Sequence, residues 1–379
     1  MSIFNHLDEF ATALSEEEFS PALPERLAVT KQLLASESPS LRSVAAPRYV
    51  TDLGVRRSSD AERFYDIHCN LAKITPLSKE QLYTYLSAIP TEHLHFHLDA
   101  CILMFGAYGT CADYITQAQE ELLAQGSYTT LLYCGEILAA VSNTNALCFF
   151  DRASAMASSQ PDAYEAQHRA AAFETKRLGK TQDSPHRLIC AKRKYLNGDN
   201  NDLDLALLLN LDALNLWDDG IDTSVILESL RIAAEKAKAV FPSSCETQYT
   251  ISVALRYYNQ ICINIAQVFA RDKKYDRAVK TLTQCLDNCC AAASEYMPEI
   301  LGELSYFEYL NQDYLLSIQY ANLAFMAFRQ IGGIVAMERT RQVAVGSLMR
   351  LGHARHAAKI ASDIDTDPLG LSWKPELIS

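Results

Sequence analysis

"CINIAQVFARDKKYDRAVKTLTQCL" (262–286) is the stretch whose reading decides the fold. Before the polar break Arg271–Asp272–Lys273–Lys274, Ile265, Ala266 and Phe269 fall on one helical stripe. After it, Tyr275, Ala278, Leu282 and Cys285 fall on a second. Each stripe carries a small residue, so two helices folded back on each other approach closely there while the larger apolar residues fill the groove between them. The stretch predicts an antiparallel helix hairpin.

The pattern returns twice. In "LGELSYFEYLNQDYLLSIQYANLAF" (301–325) the matching residues are Leu304, Ser305, Tyr314, Ser317, Ala321 and Ala324. In "RQVAVGSLMRLGHARHAAKIASDI" (341–364) they are Leu348, Gly352, Ala354, Ala357 and Ala361, with Val345 where a small residue is usual. This series resembles the tetratricopeptide repeat (TPR) over 260–365. The step from Tyr275 to Tyr314 to Ala354 is about 40 residues against the usual ~34, which implies helices about a turn longer.

Helical stripes continue upstream, at 60–74, 80–89, 93–107, 111–125, 129–142, 145–157, 162–178, 202–217, 224–240 and 247–271. The links between them are short: "PLS" (76–78), "QGS" (125–127), "SQP" (159–161), "NGDN" (197–200), "DDG" (218–220) and "FPSS" (241–244). Short links between helices favour antiparallel neighbours. "NALCFFDRASAM" (145–156) reads as the second helix of a pair, with Ala146 and Ala153 as its small residues. Residues 60–200 also resemble the helical arm of COP9-signalosome and proteasome-lid subunits. Those proteins end in a winged-helix domain, and no strand pair is evident near this C-terminus.

The reading divides the chain into an irregular, partly helical N-terminal segment (1–58), a domain of degenerate hairpins (59–243), the TPR-like repeats (244–365) and a tail (366–379). Composition agrees with an all-α chain: of 379 residues only 14 are Gly and 12 Pro, too few for the closely spaced turns of an all-β fold. The net charge of -12 disfavours nucleic acid and anionic membranes as partners. The 11 cysteines include no CxxC pair, which predicts free thiols in a reducing compartment. No basic, apolar leader opens the sequence and no apolar run approaches ~18 residues, so the expectation is a soluble cytoplasmic protein without a membrane partner.

One stretch points elsewhere. "TEHLHFHLDACILMFGAYG" (91–109) carries His93, His95, His97 and Asp99 at alternate positions, which would share one face of a strand. "HLHFHLDA" resembles the metal-binding opening of adenosine-deaminase-like amidohydrolases, and "DTDP" (365–368) their distal aspartate motif. That resemblance implies a metal-dependent hydrolase. Its site needs further histidines, and none occurs between His186 and His353. The apolar pattern around the histidines is helical instead, with Leu94, Leu98, Cys101 and Phe105 on one stripe. A helix separates the three histidines, and His95 and Asp99 become polar neighbours on its edge. The reading is therefore no enzyme, no metal and no cofactor.

Two other groups stand out. Cys285, Cys289 and Cys290 share a helix and read as core thiols. The island 176–195 holds Lys176, Arg177, Lys180, Arg187, Lys192, Arg193 and Lys194, a candidate basic docking patch with little aromatic interleaving for base stacking.

The TPR resemblance implies an α-solenoid, a superhelix of antiparallel hairpins whose first helices line a concave surface. On this sequence the lining positions are Gln260, Asn264, Gln267, Arg271, Tyr306, Arg339, Gln342 and Arg350. Amide side chains both donate and accept, as an extended peptide backbone requires, and arginines take carboxylates bidentately. Chaperone-tail-binding members of the family use a Lys/Asn clamp. Ile263 and Gly302 stand at its positions, so the clamp is absent. The expected function is a noncatalytic scaffold, adaptor or complex subunit for a protein or peptide partner, with a TPR-type regulatory peptide receptor as the alternative. Homo-oligomers are compatible with such a surface.

Overall fold

The computed structural model describes residues 77–105, 107–179, 187, 189, 202–239, 248–291, 297–330 and 334–366. Within helices, the side chains of Phe96, Asp99, Ala100 and 103–105, among others, are not described. The expected 60–74 helix, the N-terminal segment, the tail and the Cys289 and Cys290 side chains lie outside these residues. Among the described residues every regular element is a helix, so the fold is all-α and built of helix hairpins. None of these helices is long and apolar enough to cross a membrane. The chain divides into two compact units at Gly198/Asp199.

Unit 1 contains α1 (Lys79–Ser87), α2 (Leu94–Phe105), α3 (Tyr108–Gln117), α4 (Gln119–Gln125), α5 (Tyr128–Ala140), α6 (Ala146–Met156) and α7 (Gln160–Phe173), the last continuing into a π-helical turn, Glu174–Leu178. Serine starts three of them. Ser78 forms a capping box with Gln81, Ser127 accepts from the Thr130 N–H, and Ser159 accepts from the Asp162 N–H ahead of a helix with Pro161 in its first turn. The stripe expected over 111–125 is two helices, because the backbone leaves helical geometry at Ala118. Helix α5 is the hub: it is buried on nearly all sides and packs against α2, α3, α6 and α7. Gly135 sets its distance from α6, since a Cβ there would lie 2.6 Å from the Phe150 ring. Ala146 and Ala153, the small residues expected of a second helix, are both fully buried.

Unit 2 is a series of hairpins: α8 (Asp202–Asp218) with α9 (Thr223–Ala239), α10 (Gln248–Arg271) with α11 (Tyr275–Ala291), α12 (Met297–Leu310) with α13 (Tyr314–Gln330), and α14 (Ile334–Arg350) with α15 (Ala354–Thr366). Each helix packs on the next, and the first helices also pack side by side, α8 on α10, α10 on α12 and α12 on α14. One core runs from Ala206 through Ala266, Ala278, Leu282 and Cys285 to Leu304 and Phe307. Ala321, Ala324, Leu348 and Ala357 are buried in the later pairs. Val345 is not the close-approach residue of the third repeat. Ser347 is buried, and Gly346 brings Tyr309 of α12 within 3.3 Å of where a Cβ would stand.

The hairpins share one stop. Gly220, Lys273, Gln312 and Gly352 all adopt positive φ, and at each the N–H bonds back three residues while the next N–H bonds back five, as in Gly352 to Met349 and His353 to Leu348. This is the Schellman ending, which satisfies carbonyls that a helix terminus would leave open. Ser142 closes α5 of unit 1 in the same way.

Candidate functional site: the first-helix face of unit 2

The residues expected to line a concave surface lie on α10, α12 and α14. Their burial follows from helical phase. On α12, Ile300, Leu304 and Phe307 point into the core and leave Tyr306, on the opposite side, 46% exposed. On α10, Gln267 and Arg271 are exposed and Gln260 and Asn264 half-buried. On α14, Arg339, Gln342 and Arg350 are exposed. Ser317 ties α13 to both neighbouring first helices, donating to the Ser305 carbonyl at 2.8 Å and meeting the Ser347 hydroxyl at 2.8 Å. Buried Arg341 lies over the Phe325 ring and donates to the Asp363 carbonyl.

Some of the expected residues are already engaged. Asn264 donates to the side-chain carbonyl of buried Asn210 of α8 at 2.7 Å. Arg271 sits over the Trp217 ring of α8, 5.7 Å from its centroid, a cation–π contact that holds the guanidinium at the surface. Arg350 bonds the Tyr309 hydroxyl, and its pKa is raised by that bond. Arg339 makes no ion pair among the described residues.

The sequence reading missed Asn210, Trp217 and Glu303. Glu303 lies three residues before Tyr306 and so shares its side of α12. Burial pushes its carboxyl up to about 7, opposed by Arg339. The usable signal was the spacing to Tyr306; burial on a helix flank depends on α10 and α14 and was not visible.

In unit 1, Lys176 is exposed and Arg177 half-buried on the π-helical turn. Arg187 is drawn inward. Its side chain is 12% exposed and bonds Asp151 at 2.9 Å and the buried Glu174 at 3.1 Å, so it serves the fold there. Lys180, Lys192, Arg193 and Lys194 lie outside the described residues.

The histidine run is on helix α2. His95 is 6% exposed, and its Nδ1 lies 3.3 Å from the Thr130 hydroxyl, which itself donates to the Thr91 carbonyl. His97 meets the Tyr85 hydroxyl, and His93 lies against Glu92. Burial holds His95 and His97 down at about 4. The Asp99 side chain is outside the described set. Among the described residues no group of three His, Cys, Asp or Glu side chains stands close enough to hold a metal.

The fold and this face define a class: an all-α protein of stacked helix hairpins, TPR-like in unit 2. No family model and no curated protein matches the chain. Among solved structures it is similar to the apo form of the quorum sensor NprR from B. thuringiensis, at 12% identity and a TM-score of 0.44, over 96% of this chain and 98% of that one.

Proposed function

We propose that the chain is a noncatalytic scaffold or adaptor that holds an extended peptide segment of a protein partner against the first-helix face of unit 2. The observation that carries this reading is the alignment of α10, α12 and α14. They pack side by side, and each turns amide, guanidinium or aromatic groups outward at matching phase: Gln267 and Arg271, Tyr306, Arg339 and Gln342. Amides supply the paired donor and acceptor that a peptide backbone needs, and Tyr306 offers apolar area at low entropic cost. Burial of His95 against Thr130 supports reading the histidine run as core rather than as a catalytic metal site. The described cysteines are all free, which supports a reducing compartment such as the cytoplasm.

The test is to pan the full chain against a displayed library of random dodecapeptides and remeasure the recovered peptides with the double variant Arg271→Glu, Arg339→Glu. Loss of affinity of about tenfold or more would support the face, since a buried or half-buried charge contact is worth ~1.4 kcal/mol or above. Recovery of no peptide, or peptides indifferent to both reversals, would sink the reading.

A further inference from the structure

Each second helix of unit 2 leaves one side exposed, and three of the four carry charges there: Glu228 and Arg231 on α9, Lys280 and Asp287 on α11, Arg355 and Lys359 on α15. Helix α13 differs. Its exposed positions among the described residues are Leu315, Gln319, Leu323 and Met326, and none is charged. The two leucines are 50% and 56% exposed and Met326 39%, while Ser317, Ala321 and Ala324 of the same helix are fully buried. The core takes one side of α13 and leaves an apolar row on the other. Single exposed apolar residues are ordinary on a protein surface, but several in one row mark a contact surface.

The spacing of the row identifies what covers it. Leu315, Gln319 and Leu323 stand at four-residue intervals, a packing ridge about 12 Å long. The order Leu, Gln, Leu reads the same in both directions. Two such helices laid antiparallel about a two-fold axis at Gln319 bring Leu315 of each against Leu323 of the other and set the two Gln319 amides together. An amide both donates and accepts, so that pair satisfies itself. An unrelated partner would need an amide at the same point of an apolar surface. Charge agrees: each copy carries -12, and two like-charged chains approach at least cost through a surface without charges of its own. We infer that α13 is the contact between two copies of this chain, an isologous antiparallel helix pair centred on Gln319 with Met326 at its rim. The pair uses none of the residues proposed to hold a peptide, so it stands or falls independently of that reading.

One helix from each copy covers less than the roughly 800 Å² per partner of a standard interface, so the association is of micromolar strength and follows concentration. The test is sedimentation equilibrium of the full chain between about 1 and 200 μM, where the mean mass should climb from 42.2 kDa toward twice that value. Leu323→Glu sets a carboxylate against the Leu315 of the other copy and should weaken association about tenfold or more. Adding Leu315→Lys to that variant opposes the two introduced charges across the axis and should recover most of the loss, which only the antiparallel register allows. A mass that stays at 42.2 kDa throughout, association indifferent to Leu323→Glu, or a double variant no better than the single one would each overturn the inference. Both leucines are exposed, so the variants are expected to fold. Should Leu323→Glu lose its helical circular dichroism, Gln319→Glu decides instead: it keeps the side chain's shape, sets two carboxylates together at the axis, and an unchanged association constant rejects the pair.

Discussion

Unit 1 gathers short helices, 7 to 14 residues long, around the single hub α5. Unit 2 lines up longer ones, 13 to 24 residues, in successive pairs that each repeat the contact made by the last. The difference lies in how close approach is achieved. In unit 1 it is concentrated at Gly135 under the Phe150 ring. In unit 2 it is spread over Ala266, Ala278, Ser305, Ser317, Ala321 and Ser347, all fully buried. A hub tolerates irregular helix lengths because each neighbour meets it independently. A repeat needs uniform spacing, and in return it leaves the same side of every first helix available to a ligand.

Acid separates the two regions most sharply. His95, His97 and His168 of unit 1 are each held down to about 4 by burial. A histidine whose folded pKa is depressed contributes stability that is present above its unfolded value near 6.5 and is lost as pH falls toward 4, up to about 3 kcal/mol for a fully expressed shift of that size. Glu303 of unit 2 is raised, so its contribution has the opposite sign, present at low pH and lost as pH rises through about 7. Hydrogen exchange between about pH 7 and pH 4.5 should show protection of α2, α5 and α7 falling first while α12 keeps its own. Uniform loss in both units would break the contrast.

The next effect comes from glycine. Gly135→Ala should destabilise by about 1–3 kcal/mol, because the new methyl meets an aromatic ring that is itself buried. Gly346→Ala in unit 2 meets the half-buried Tyr309 edge at 3.3 Å, and the gain in helix propensity, roughly 1 kcal/mol, offsets much of the strain. Denaturant midpoints of the two variants would measure the gap. Equal losses would mean that the repeat is as tightly keyed as the hub.

The smallest effect concerns the hairpin stops. Lys273→Gly and Gln312→Gly should each stabilise by about 0.5–1 kcal/mol, since the left-handed conformation costs a residue with a Cβ about that much. Gly352→Ala should destabilise by a similar amount. Thermal denaturation of the three variants checks the signs, and a loss of stability in the first two would assign Lys273 and Gln312 a contact beyond the turn.

Helix existence was legible from apolar periodicity because period 3.6 is imposed by the backbone and leaves its mark on every buried face. The hairpins were legible too, since Ala266, Ala278, Ser305 and Ser317 had to be small for helices to approach there. The histidine run could be placed on a helix by the same argument. The break at Ala118 was not legible, for the apolar stripe continues across it. Nor was the substitution of Gly346 and Ser347 for Val345, because which residue faces α12 depends on the rotation of α14 in its seat. Of the candidate site, periodicity identified the outward positions on α10, α12 and α14. Partnership was decided by tertiary structure alone: Asn264 with Asn210, Arg271 over Trp217, Arg350 with Tyr309, and Arg187 turned inward to Glu174. Helical phase is a local property that one segment carries by itself. Which charge is paired, and with what, depends on side chains brought together from helices tens of residues apart, and no local pattern records that distance.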